Sequence, residues 1–196
     1  MNRDAVAWGV VAVGLLLLWA YATTGEAEAA PVDAEPADDE GDDDMPTPML
    51  YSAKKLTKAQ RIMADLIVEH ATDAGLNPSF MLALAVTESS LRPTIIGDDG
   101  RSTGLFQLLL PTAKRYDPPV EQDDLLDPAT NARIGMKAMA GMMEEFPGHN
   151  YGDYAEAWTL GGTGKFVKKR KNPAKLTAMA RAIADLGLTL NLNEVP

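Results

Sequence analysis

Residues 5–22, AVAWGVVAVGLLLLWAYA, are eighteen consecutive uncharged and mostly apolar positions. As a helix rising about 1.5 Å per residue, such a run spans about 27 Å, close to the hydrocarbon thickness of a bilayer. Trp8, Trp19 and Tyr21 lie toward its ends, where amphipathic rings favour the membrane interface. We therefore expect residues 1–22 to form a membrane anchor. A cleaved signal peptide is the alternative, because Ala20-Tyr21-Ala22 has the small-x-small form of a cleavage site. Arg3 and the amino terminus put positive charge on the short side of the run, which predicts that the body of the protein lies outside the cytoplasm, on the periplasmic side or in a virion membrane.

Residues 23–50 follow as a linker. Ten acidic residues and no basic one fall between residues 25 and 48, interspersed with Ala and Pro and with little to bury. Such a segment is a disordered, self-repelling tether whose coil dimension is about 25–30 Å. The formal net charge of −10 belongs to this tether, since the rest of the chain has eighteen acids against eighteen Lys and Arg. The acidity thus says little about partners of the folded domain. The chain has no cysteine, which excludes disulfides, thiolate metal sites and a cysteine nucleophile.

Residues 51–196 are long enough for one domain, and their patterning is helical. Thr57 and Gln60 form a capping box, and Ile62, Met63, Leu66, Ile67, His70 and Ala71 then trace one face up to Gly75. Asn77-Pro78 starts a second helix, along which Met81, Leu84, Ala85 and Glu88 recur at i, i+3, i+4 and i+7. Further helices are expected at about 111–116, 129–145, 152–159 and 173–186, with no run of alternating strands. The fold class is mainly α.

Glu88 is the acid in an unusual place. Its helical face is otherwise apolar and it lies at the helix's C-terminal end, so burial and the helix dipole both disfavour its charge. A carboxylic acid that keeps its proton is what general acid catalysis requires, as in protonation of a glycosidic oxygen. Downstream, GDDGRSTG supplies a polar loop with Gly97, Gly100 and Gly104, and Gln107 sits among Leu105, Phe106 and Leu108. A glutamine so placed either caps backbone groups or offers its amide to a ligand.

Five motifs occur in order: Glu88-Ser89, Pro93, GDDGRSTGLFQ at 97–107, PTA at 111–113 and DPATNARIG at 127–135, with AWTLGG following from Ala157. Over roughly residues 74–163 this series resembles the transglycosylase domain of soluble-type lytic transglycosylases and, more distantly, goose-type lysozyme. The resemblance implies a lysozyme-like helical domain with a groove for peptidoglycan glycan strands. It implies Glu88 as the catalytic acid and base, with Ser89, Asp98, Gly104, Leu105, Phe106, Gln107, Trp158 and Thr159 around the substrate. Trp158 stands where that family has a tyrosine, and Thr159 where it has an asparagine, so the amide contacts of that position are lost. Asp98 aligns with an aspartate of the goose-type lysozymes and keeps hydrolysis open as an alternative outcome. A non-catalytic wall-binding module is a further alternative, suggested by Thr159 and Gly162.

Lys165, Lys168, Lys169, Arg170 and Lys171 form a basic run that reads as a solvated surface, and no nucleic-acid partner is expected. His70 and His149 are the only histidines, without ligand spacing, so neither a metal nor a cofactor is expected. A wall-cutting domain on a membrane tether would suit a virion, an envelope-spanning secretion machine or wall remodelling.

Overall fold

The computed structural model describes residues 50–159 and 172–196, which fall within one compact unit. The expected anchor, nearly all of the acidic linker and the basic run at 165–171 lie outside the described residues. Among the described residues no helix is long and apolar enough to cross a membrane.

Helix α1, Lys58–Asp73, begins at Thr57, whose side chain accepts from the Gln60 N–H while the Gln60 amide reaches back to the Thr57 N–H. It ends at Ala74, and Gly75 follows at φ +67. Helix α2, Pro78–Ser89, is capped by the Asn77 side chain. The expected amphipathic face is not what α2 shows. Every residue from Ser79 to Ala85 is buried, because the helix runs through the middle of the domain between α1 and the C-terminal helix. A helix apolar on all sides belongs in such a place. Fully burying Phe80, Met81, Leu82 and Leu84 contributes about 1.5–3 kcal/mol each.

A three-stranded antiparallel sheet, absent from the sequence expectation, occupies the glycine-rich stretch: β1 (Ile96–Gly97), β2 (Ser102–Thr103) and β3 (Leu108–Leu109). Ile96 pairs with Thr103 and Thr103 with Leu108. Strands of two residues carry no readable alternation, so the loop reading missed them. Helix α3, Leu110–Tyr116, then leads through a short 3-10 turn, Asp123–Leu126, to α4, Pro128–Glu145. Helix α5, Tyr151–Thr159, is held at its start by the C-terminal tail, where the Tyr151 and Gly152 N–H groups donate to the carbonyls of Glu194 and Leu192. Helix α6, Pro173–Leu186, is capped by the Asn172 side chain and closed by Gly187 in the left-handed region. On α1 the expected core residue Ile62 is instead 56% exposed, and Ala64 takes the buried position.

The cap of α4 gives a small, pH-dependent test. Asp127 accepts from the Thr130 N–H at 2.8 Å. That backbone bond, and after it the Thr130 hydroxyl, hold the carboxyl below the usual aspartate value of 3.8. A depressed folded value means that the contribution is present above that ordinary value and fades as pH falls further, through the folded value. Asp127→Ala is expected to cost about 1 kcal/mol in urea unfolding at neutral pH, and the gap between variant and wild type should close in strong acid.

Candidate active site

Glu88 lies in the last turn of α2, where the buried helix reaches the edge of the core; its side chain is 16% exposed. The Lys175 Nζ from the first turn of α6 donates to the Glu88 Oε1 at 2.5 Å, and the Lys175 side chain is only 8% exposed. Sequence reasoning had burial and the helix dipole acting on Glu88 alone. The structure adds the Lys175 ammonium as its partner. Lys175 was missed, although its spacing to Met179, Ala182 and Leu186 puts a lysine on the buried stripe of α6.

Beyond Glu88 the backbone is strained. Ser90 and Leu91 take φ +54 and +59, Asp98 and Asp99 +49 and +53, and Gln107 +49. These are all the non-glycine residues with positive φ among the described residues, and they fall within one stretch of eighteen. Left-handed backbone costs a non-glycine residue about 1–2 kcal/mol, so the surrounding contacts must hold it in place.

Those contacts explain the motifs. The Gln107 Nε2 donates to the carbonyls of Gly104 (2.9 Å) and Ile95 (3.2 Å), and its Oε1 accepts from the Ser102 hydroxyl (2.8 Å). Of the two roles open to that amide, the structure has it bonding within the sheet. Asn131, buried on α4, donates through Nδ2 to the carbonyls of Thr103 and Leu125, each at 2.9 Å, and its Oδ1 accepts from the Phe106 N–H at 3.0 Å. Gly104 has φ +78, and a Cβ there would stand 2.2 Å from Asn131 Nδ2, so only glycine lets the sheet approach α4 this closely. Likewise a Cβ on Gly135 would lie 2.7 Å from the Phe106 ring.

The remaining expected site residues divide between core and surface. Leu105 and Phe106 are fully buried, and the Ser89 hydroxyl bonds back to the Ala85 carbonyl at 3.1 Å. Asp98 is exposed in the turn between β1 and β2. Trp158, nearly buried, meets the Phe106 ring edge-on at 6.1 Å and donates to the Phe106 carbonyl at 3.0 Å. Thr159 is exposed, with its hydroxyl on the Ala155 carbonyl at 3.3 Å. Gln107 and Trp158 do come together: with Leu108, Thr112, Tyr116 and Met142 they line an open cleft. Glu88 is not part of that lining.

The mainly helical domain with one acid at the end of its central helix, and a motif-bearing sheet stapled beside it, has a counterpart among known families. The model of the transglycosylase SLT domain family matches residues 65–180, more than half of the chain, and the chain belongs to that family. Among solved structures it is similar to an inactive mutant of the lytic transglycosylase Slt from Pseudomonas aeruginosa, with 24% identity and a TM-score of 0.47. That match covers 61% of this chain and 20% of the other, so it spans about a fifth of the longer protein. No curated protein matches.

Proposed function

We propose that this domain is a peptidoglycan lytic transglycosylase that cleaves the β-1,4 bond between N-acetylmuramic acid and N-acetylglucosamine. The observation that carries this reading is Glu88 itself, an acid at the end of the domain's buried central helix, beside the strained segment that holds the family motifs. Strain of this kind concentrates where a site must be held in shape.

Glu88 gives its proton to the bridging oxygen as the bond from the muramic acid C1 breaks. The sugar's own N-acetyl group steadies the oxocarbenium-like centre, so no second protein carboxylate is needed. The Glu88 carboxylate then takes the proton of the 6-hydroxyl while that oxygen bonds to C1, closing a 1,6-anhydro ring. No water is consumed, and the attached nucleophile gains from proximity. Trp158 and the cleft beside it supply an apolar surface of the kind on which sugar rings pack. Hydrolysis is the second outcome, and it would use Asp98 to position water. Digestion in ¹⁸O-labelled water separates the two, because only hydrolysis places the label on the new reducing end.

In the full chain, residues 5–22 would hold the domain on the outer side of a membrane, and the acidic tether would let it reach glycan strands. Opening the wall for a virion or secretion machine, and wall remodelling, are the settings this arrangement fits. Incubation with purified sacculi tests the enzymatic reading. Release of soluble fragments is expected; co-sedimentation without release would instead identify a wall-binding module.

A further inference from the structure

The pair formed by Glu88 and Lys175 is placed against the preferences of both helices. Glu88 stands in the last turn of α2, where the helix dipole disfavours negative charge, and Lys175 is the third residue of α6, where it disfavours positive charge. Both are largely withdrawn from water, and lysine is rarely buried without a partner. On the buried stripe of α6, with Met179, Ala182 and Leu186, an apolar side chain would serve packing as well or better. Folding alone gives no reason for this lysine.

Only one carboxylate oxygen is engaged. Oε1 accepts from Lys175, whereas Oε2 has no hydrogen-bond partner among the described residues. Among the described residues the polar side chains of the neighbouring elements have other partners. From α1, Gln60 donates to the Ser90 carbonyl; after α2, the Arg92 Nε donates to the Ser89 carbonyl; on α5, the Glu156 Oε1 accepts from the Asn172 N–H. That last bond ties α5 to the start of α6, the turn from which Lys175 reaches across.

We infer that Lys175 is a positioning residue for Glu88: it holds Oε1 and leaves Oε2 for the substrate. The inference rests on Glu88 being the proton carrier. With one oxygen held, the other stays in line for both proton transfers, to the bridging oxygen and from the 6-hydroxyl.

The test uses the full chain as wild type, Lys175→Met, Lys175→Arg and Lys175→Gln. The rate of fragment release is measured against sacculus concentration, so that apparent kcat and KM are separated, and circular dichroism follows the fold. In Lys175→Met the apparent kcat should fall by at least about tenfold while KM and the circular dichroism stay near wild type, because a carboxylate out of place slows transfer without weakening binding. Lys175→Arg should return kcat toward wild type. Lys175→Gln, equally uncharged, should behave as Lys175→Met does and carries the comparison if the methionine variant does not fold. Equal kcat in wild type and the uncharged variants would overturn the inference. Release by Glu88→Gln at the wild-type rate would instead overturn the enzymatic reading on which the inference rests, so the two failures are seen separately.

Discussion

Glu88→Gln is expected to reduce the release of anhydro-ended fragments from purified peptidoglycan by at least about 10³-fold, because a positioned acid or base contributes about 10²–10⁴-fold and this residue performs both tasks. Glutamine keeps the shape of the side chain, and its carbonyl oxygen can still accept from Lys175. It has no proton to give at the pH of the reaction. The variant should therefore retain the wild-type circular dichroism while losing turnover. An equal rate of fragment release in the two proteins would remove Glu88 from the mechanism.

Asn131→Ala is expected to destabilise the fold strongly. It leaves the carbonyls of Thr103 and Leu125 and the Phe106 N–H without their partner. Each buried polar group left unpaired costs about 1–3 kcal/mol, and water entering the vacated space recovers a part. A total loss of about 3 kcal/mol or more should appear in urea unfolding. The strained stretch from Ser90 to Gln107 should loosen with it, visible as faster amide exchange at Phe106. A loss below about 1 kcal/mol would show that the sheet does not depend on this staple.

The helices were legible because their ends are written locally. The Thr57 and Gln60 box, Asn77-Pro78, Asn172-Pro173 and Gly187 each act within a few residues, and the structure has a helix end at each. What local signals could not convey is which helix lies at the centre. The apolar residues of α2 read as one face, whereas the structure surrounds that helix and leaves Ile62 of α1 exposed. The sheet was illegible for another reason: its strands are two residues long, held by Gln107 and Asn131 side chains rather than by a run of β-formers.

The candidate site was legible as a set of residues, not as a set of roles. Glu88 stood out because an acid ended an apolar helix, and the motifs around it could be named in order. Their roles could not be read from spacing. Gln107 and Asn131 are backbone staples, and Gly104 and Gly135 make room for the staple and for the Phe106 ring. Lys175 lies 87 positions from Glu88, and only folding brings the two together.

The central claim is that the bond is broken by intramolecular transfer, with Glu88 carrying the proton in both directions. Mass spectrometry of the fragments that wild type releases from purified sacculi tests it most directly. Transglycosylation predicts muramic acid ends in the 1,6-anhydro form, lighter by one water than the corresponding reducing ends. Fragments with reducing ends in their place would contradict it.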